Sequence, residues 1–288
     1  MANFPWPSGN QCAVALTFDD DGECVPLIYD PQNAARRLSL QSEATYGPNV
    51  GTPRILDLME RHGIPASFFV PGFTAERHPD LLRDIIARGH ELGHHGYLHE
   101  RPDFVDDAEE ERIMILGLEV LESITGLRPR GYRSPAWELK PSSPALIKKY
   151  GFLYDSSLMG DDEPYLIDAG SERLLEIPIQ WMNDDWAYFG FCSIPALGNG
   201  ISSPQTVFET WSEEFAGYYD VGGCYVLTMH PFVIGRPSRI RLLDRLIEYM
   251  KDFEGVWFAT LEQIAEHALS TGQVRYRPHA DLTIGSRP

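Results

Sequence analysis

The sequence has few basic residues for its size. Lysine and arginine together number 24 against 42 aspartates and glutamates, which gives a formal net charge of -18. Proteins that bind a phosphate backbone or an anionic membrane surface present clustered lysines and arginines. The composition therefore argues against nucleic acid and against membranes as partners. The acidic excess is an ordinary means of staying in solution.

Cysteines and long apolar runs are scarce as well. The four cysteines are scattered without a CxxC pair, which argues against a zinc ribbon or a redox motif and favours buried free thiols. No window approaches the roughly 18 consecutive apolar residues of a membrane-spanning helix. The N-terminus, MANFPWPSGNQ, lacks a basic stretch followed by an apolar one, so no signal peptide is predicted. These features favour a chain that works in the cytoplasm.

Short apolar runs alternate with amphipathic segments along most of the chain. This alternation is typical of an α/β fold, either a parallel sheet or a β/α barrel. Residues 22–50, 160–175 and 181–204 show no clear period and are predicted to be irregular. No linker or repeat divides the sequence, so we expect a single domain over residues 1–288 with a core of about 12–270.

Three consecutive carboxylates, Asp19, Asp20 and Asp21, follow the apolar run 12–18. Burying such a cluster is costly unless a positive charge lies beside it. Alternate side chains of a strand share one face, so Asp19 and Asp21 are expected to point to the same side and Asp20 away. An acidic turn that caps a helix is the structural alternative.

Four of the nine histidines fall between His90 and His99. His95 and His99 are four residues apart, a spacing that can clamp one ion, although an isolated pair is equally compatible with a core or surface role. His90 and His94 are expected to pack rather than to bind a metal. Two histidines and one carboxylate would form a set with open coordination positions, which a catalytic zinc-like site requires.

A bound ion lowers the pKa of its water toward ~7, and a second carboxylate can then act as a base. His230 ends the apolar run 224–229 and precedes a proline. It is a candidate acid for the leaving group, with a hydrogen-bonded structural histidine as the alternative.

These motifs, in this order, resemble the polysaccharide deacetylase superfamily, also called the NodB-homology family or carbohydrate esterase family 4. The resemblance runs from about Val14 to about Phe258. It implies a distorted (β/α) barrel and metal-dependent hydrolysis of an N-acyl bond. The matching segments are Thr17-Phe-Asp19-Asp20, Pro65-Ala-Ser-Phe-Phe69, His95-(three residues)-His99, Arg133-Ser-Pro-Ala-Trp137 and Val226-Leu-Thr-Met-His230.

The resemblance also implies catalytic roles by position. Asp19 corresponds to the base, His230 to the acid and Arg133 to an arginine that orients the base. Trp137 is expected to line the pocket. The aromatic stretch 181–189 is expected to pack, with a substrate wall or a subunit contact as the alternative, for which Trp186 is the candidate. Asp185 in this stretch is a candidate for orienting either Arg133 or His230.

The resemblance implies one divalent metal ion held by His95, His99 and an aspartate. In one group of members the base and the metal ligand are adjacent, which would make the ligand Asp20. In a cytoplasmic group the pattern is Asp-x-Asp followed by a small residue and Glu, which fits residues 19–23 and makes the ligand Asp21. Strand alternation also favours Asp21. Zinc is the expected ion, and cobalt, nickel or manganese would suit the same ligands.

The cytoplasmic group includes cyclic imide hydrolases, allantoinase-like proteins and peptidoglycan-deacetylase-like proteins, often homotetramers. The predicted function is hydrolysis of carbon–nitrogen bonds in small cyclic imides or amides, in which metal-bound water attacks the carbonyl. The alternatives are an N-deacetylase of sugars or peptidoglycan, an esterase of O-acyl groups and a non-catalytic binding protein. A closed pocket would favour a small molecule, and a long groove would favour a polymer.

Overall fold

The apolar runs of the sequence assemble into one curled sheet. The computed structural model describes residues 4–192, 198 and 200–278, and its sheet contains ten strands. They are β1 (Cys12–Asp19), β2 (Ser67–Val70), β3 (Glu91–His94), β4 (Gly131–Tyr132), β5 (Tyr154–Asp155), β6 (Tyr165–Ala169), β7 (Glu172–Glu176), β8 (Cys224–Met229), β9 (Val256–Phe258) and β10 (Arg275–Tyr276).

Helices connect most of these strands. Among the described helices none combines the length and the apolar character that crossing a bilayer requires. They are α1 (Cys24–Tyr29), α2 (Leu38–Ala44), α3 (Thr52–His62), α4 (Gly72–Arg77), α5 (Pro79–Ala87), α6 (Asp107–Thr125), α7 (Ser143–Lys149), α8 (Trp186–Phe189), α9 (Pro204–Val221), α10 (Pro231–Ile234), α11 (Pro237–Lys251) and α12 (Leu261–Thr271).

The strand order is β10-β6-β7-β5-β4-β3-β2-β1-β8, and β9 also pairs with β1. All pairs are parallel except β6 with β7. Strand β8 pairs along one edge of β1. Strands β2 and β9 therefore both pair with the other edge of β1. The chain that leaves β7 reaches β8 through a parallel bridge between Asp184 and Thr228, so the sheet curls round on itself. The predicted distorted (β/α) barrel is confirmed.

The central strand β1 is buried along its whole length, as expected for a parallel strand covered on both faces. Its side chains alternate between two apolar clusters. Val14, Leu16 and Phe18 point into the cluster beneath the helices, whereas Ala13 and Ala15 point into the curled interior. All four cysteines are buried and none forms a disulfide within the described residues, as predicted.

Two segments predicted to be irregular have regular structure. Residues 22–50 contain α1 and α2, whose six and seven residues are too short to show a helical period. Residues 160–175 contain β6 and most of β7, which form a hairpin turning at Gly170 with φ 68. The hairpin was missed because three charged residues beside its turn, Asp168, Glu172 and Arg173, interrupt the apolar pattern. Residues 181–204 include the short helix α8, and positions 193–197 and 199 lie outside the described residues.

Helix α6 packs closely against the segment that follows β3. A Cβ atom on Gly117 would overlap the His94 ring and would lie 2.9 Å from the carbonyl oxygen of Gly96. The glycine therefore sets the distance between α6 and the loop that carries His95 and His99. Gly217 of α9 is also within a helix, but a Cβ there would meet no atom within 4 Å.

We expect Gly117→Ala to lower the free energy of unfolding by about 1–3 kcal/mol, because added volume in a packed interior forces its neighbours to move. Gly217→Ala is the matched control. It should raise the free energy of unfolding by about 0.5–1 kcal/mol, because alanine has a higher helix propensity than glycine and its Cβ has room at this site. Urea denaturation measures both. Equal effects of the two substitutions would contradict the close-packing role of Gly117.

Candidate active site

Polar side chains collect at the carboxyl ends of four parallel strands. Asp19 ends β1, His95 directly follows β3, Arg133 directly follows β4 and His230 directly follows β8. In β/α barrels this end of the sheet is where reactive groups lie. The fold therefore brings together residues separated by more than 200 positions in the sequence.

Three side chains form a group with the geometry of a metal site. Asp21 Oδ1 lies 3.6 Å from His95 Nε2 and 3.7 Å from His99 Nε2. One ligand atom from each residue falls within 4.8 Å of the other two. His99 adopts φ 61, a backbone conformation that residues other than glycine rarely adopt and that is often retained at functional sites.

The chemistry of this group fits a divalent cation. Among the described residues no side chain or backbone group donates a hydrogen bond to the buried Oδ1 of Asp21. Burial raises the pKa of Asp21 to about 8 when no cation is beside it. The Nδ1 of His95 lies 2.8 Å from the backbone oxygen of Arg133. The proton is therefore on Nδ1, and Nε2 presents its lone pair to the site.

Asp20 lies on the opposite side of the strand, as the alternation of side chains predicts. Its Oδ2 accepts a 2.5 Å hydrogen bond from the hydroxyl of Thr52 at the start of α3. Asp20 is thus turned away from His95 and His99. Of the two aspartates left open by the sequence, Asp21 is the one in position to bind a metal.

Asp19 is held by a buried arginine. Arg133 Nη1 donates hydrogen bonds to Asp19 Oδ1 at 2.9 Å and to Thr17 Oγ1 at 2.8 Å, and its Nε donates to the backbone oxygen of Ser156 at 3.0 Å. Burial alone would raise the pKa of Asp19. The charge of Arg133, together with those of His95 and His230, outweighs burial, so the pKa of this carboxylate lies below its ordinary value. Asp19 is therefore ionised and can accept a proton.

His230 is held by a buried carboxylate. Its Nδ1 lies 2.7 Å from Asp185 Oδ1, and its backbone N–H donates to the same carboxylate. Burial lowers the pKa of this imidazole, but the charge and hydrogen bond of Asp185, together with the charges of Asp184 and Asp21, outweigh burial and raise the pKa well above its ordinary value. His230 is therefore a proton donor. The sequence left either Arg133 or His230 as the partner of Asp185, and in the structure Asp185 lies beside His230.

The metal-site group and both proton-transfer residues face one pocket of about 220 Å³. Trp137, which follows a residue with positive φ, stacks on Trp181 with ring centroids 4.2 Å apart. Trp186 forms another part of the wall and packs against Tyr29 at 5.7 Å. Trp181 and Asp184, from the stretch whose alternative role was a substrate wall, also line the pocket, and Tyr29 lines it without having been predicted. The Asp184-Asp185 doublet was the signal that could have identified Asp184.

His90 and His94 pack as predicted. His90 Nδ1 accepts a hydrogen bond from the backbone N–H of Ala66. His94 is fully buried, stacks on Tyr132 with ring centroids 5.4 Å apart and hydrogen-bonds the backbone oxygen of Met114. Neither belongs to the metal-site group.

A pair of buried carboxyl groups lies at the ends of β5 and β7, and this pairing was not predicted. Asp155 and Glu176 are register partners in β5 and β7. Glu176 Oε1 accepts hydrogen bonds from the backbone N–H groups of Ser157 and Leu158. Burial, and for Glu176 also the neighbouring Asp155, raises the pKa of both groups, so the pair holds a proton between them.

Comparisons with known proteins agree with this arrangement. The family model named "Polysaccharide deacetylase" matches residues 8–154. A peptidoglycan deacetylase of Helicobacter pylori is 30% identical over 254 residues, which are 79% of this chain and 87% of that protein.

Solved structures agree along nearly the whole chain. The crystal structure of a Mycobacterium smegmatis protein that carries the name of the same family is 41% identical. It aligns with a TM-score of 0.91 over 100% of this chain and 98% of that one. PuuE allantoinase is 27% identical and aligns with a TM-score of 0.81 over 94% of each chain. The likeness therefore extends to the whole fold rather than to single motifs.

We expect Asp21→Asn to lose most of its bound metal on dialysis, because the substitution removes the only carboxylate of the group. Asp20→Asn is the matched control and should retain metal. Metal content of the purified proteins, measured by inductively coupled plasma mass spectrometry, decides between them. Loss of metal from Asp20→Asn with retention in Asp21→Asn would reverse the assignment.

The Asp155–Glu176 pair predicts a pH-dependent stability. A carboxyl group with a raised pKa in the folded state is favoured when protonated, so stability is lost as pH rises from its unfolded pKa toward its folded pKa. Glu176→Gln keeps the acceptor oxygen and removes the repulsion. We expect this variant to gain stability over the wild type as pH rises from 5 to 9.

Urea denaturation across this pH range tests the expectation. Glu172→Gln, at the exposed start of the same strand, is the control and should follow the wild type. A constant loss of stability in Glu176→Gln at every pH would show that the pair shares no proton.

Proposed function

The chain belongs to the polysaccharide deacetylase family, and from that membership we propose that it is a metal-dependent hydrolase of small cyclic imides and amides. The observation that carries the proposal is the pocket of about 220 Å³, which is walled by indole rings. Sites for drug-sized ligands commonly measure about 300–1,000 Å³, so this pocket suits a smaller, flat molecule. The similarity to PuuE allantoinase supports the same substrate size.

A divalent ion held by Asp21, His95 and His99, zinc in this proposal, supplies a Lewis acid at the carbonyl oxygen and lowers the pKa of a nearby water. The carboxylate of Asp19 takes the proton of the attacking water. Arg133 keeps that carboxylate ionised and oriented.

The proton for the leaving group comes from the other side of the pocket. His230 lies among the pocket-lining residues, and its Nδ1 is engaged by Asp185. Its Nε2–H is therefore directed away from Asp185 and protonates the departing nitrogen. The cytoplasmic location and the homotetramer that the resemblance implies stay predictions.

N-deacetylation of sugars is the second candidate, and one observation favours it. The Helicobacter pylori relative, matched over 87% of its length, is a peptidoglycan deacetylase. Both reactions cleave a carbon–nitrogen bond beside a carbonyl group, so the same ligands, base and acid serve either one. The difference lies in whether the pocket admits one ring or a polymer.

Purified, zinc-loaded protein should hydrolyse succinimide, maleimide or dihydrouracil and leave an N-acetylglucosamine oligomer intact. Ring opening is followed by ultraviolet absorbance or chromatography, and oligomer deacetylation by acetate release. Asp19→Asn should lose about 100-fold or more of the activity, because general bases contribute roughly 10²–10⁴-fold, and it should keep its metal. Acetate release without imide turnover would replace the proposal with the deacetylase.

A further inference from the structure

We propose that Asp184 recognises the N–H group of the substrate at the scissile carbon–nitrogen bond. One of its carboxylate oxygens accepts a hydrogen bond from that N–H, so the pocket selects unsubstituted imides and amides. The inference rests on the proposed function and adds a specificity-determining residue to the site.

Asp184 is fixed in place by its backbone and by one of its two carboxylate oxygens. It forms a parallel bridge with Thr228 of β8, and the next backbone N–H, that of Asp185, donates to the Thr228 oxygen at 3.1 Å. Its Oδ1 accepts hydrogen bonds from the backbone N–H groups of Trp186 at 2.7 Å and Ala187 at 3.2 Å. This oxygen therefore caps α8.

The second oxygen of Asp184 has a different environment. Within the described residues it accepts no hydrogen bond, and the side chain lines the pocket beside the indoles of Trp137, Trp181 and Trp186. Asp184 is 1% exposed, and burial raises its pKa to about 7 despite the nearby charge of His230, so a carboxylate oxygen without a hydrogen-bond donor is costly here. Helix capping uses only Oδ1 and leaves this cost unexplained, whereas a substrate donor would remove it.

The position of Asp184 relative to His230 identifies that donor. A carboxylate oxygen of Asp184 lies within 4.8 Å of a ring nitrogen of His230. In the proposed reaction His230 protonates the departing nitrogen. The nitrogen must therefore lie within hydrogen-bond reach of His230, and its own hydrogen is then the substrate donor nearest to Asp184.

This arrangement predicts discrimination against substitution on the nitrogen. An N-methyl group would leave the carboxylate unpaired and would occupy the space of the hydrogen bond. Sites built to hydrogen-bond a substrate N–H or O–H reject analogues that lack it by up to about 10⁴–10⁵-fold. The wild type should accordingly prefer succinimide to N-methylsuccinimide by about tenfold or more.

The test compares kcat/KM on these two imides for zinc-loaded wild type, Asp184→Asn and Asp168→Asn. Asparagine is as good a helix cap as aspartate, so Oδ1 stays with α8 and its NH₂ group faces the pocket as a donor. Asp168, on β6 between β10 and β7, accepts a hydrogen bond from the hydroxyl of Tyr276 and is the control. N-methylsuccinimide serves as a competitive inhibitor where its turnover is too slow to measure.

Asp184→Asn should lower kcat/KM on succinimide by about tenfold or more. Its kcat/KM on N-methylsuccinimide should change by less than about twofold, and its metal content should stay unchanged. Asp168→Asn should change neither value. An equal loss on both imides would make Asp184 a structural cap only, and an unchanged succinimide value would also overturn the inference.

The two proposals fail separately. If the wild type hydrolyses neither imide, the proposed substrate class is wrong, and the same variants are compared on an N-acetylated and an O-acetylated sugar. A loss confined to the N-acetylated sugar would uphold the role of Asp184, because the ester has no N–H at the scissile bond. An equal loss on both sugars would overturn it.

Discussion

The buried Arg133 is the interaction on which the rest of the site depends. Its guanidinium is fully buried, donates to Asp19 and lies 4.3 Å from the centre of the Phe69 ring. Its backbone oxygen accepts from His95 and so selects which ring nitrogen faces the metal site. Leaving either partner of such a buried pair alone would expose an uncompensated charge to the interior. One residue thus contributes to the charge of the proposed base, Asp19, and to the orientation of His95, a proposed metal ligand.

Two opposite electrostatic environments lie across the pocket. On one side a cation lowers the pKa of Asp19, and on the other a carboxylate raises the pKa of His230. Pairs of titratable groups whose surroundings push their pKa values apart are the groups that serve as base and acid. Burial raises the pKa of both Asp155 and Glu176, and this favours the separation, because a second full negative charge near Arg133 would weaken its hold on Asp19.

The residues that could be predicted from the sequence are those whose positions follow from strand geometry. Alternation along β1 separates Asp20 from Asp19 and Asp21, and the structure has this arrangement. Contacts between strands that are distant in the sequence could not be predicted in this way. Glu176 meets Asp155 only because β7 pairs with β5 out of chain order, and no local pattern contains that information. Short helices such as α1 were not predicted for a related reason, since tertiary packing rather than amphipathic periodicity stabilises them.

The residues proposed for catalysis and the residues that shape the pocket differ in the same way. Asp19, His95 and His230 stand at or directly after the ends of strands, where the sheet fixes them. Tyr29, Trp181 and Trp186 belong instead to the segments with the least periodicity. Loops carry binding variation on a rigid scaffold, so one set of catalytic groups can serve an imide ring or a sugar amide. Asp184 joins the two parts. Its backbone is paired with β8 while its side chain reaches the pocket, so a loop residue is held with the precision of a strand.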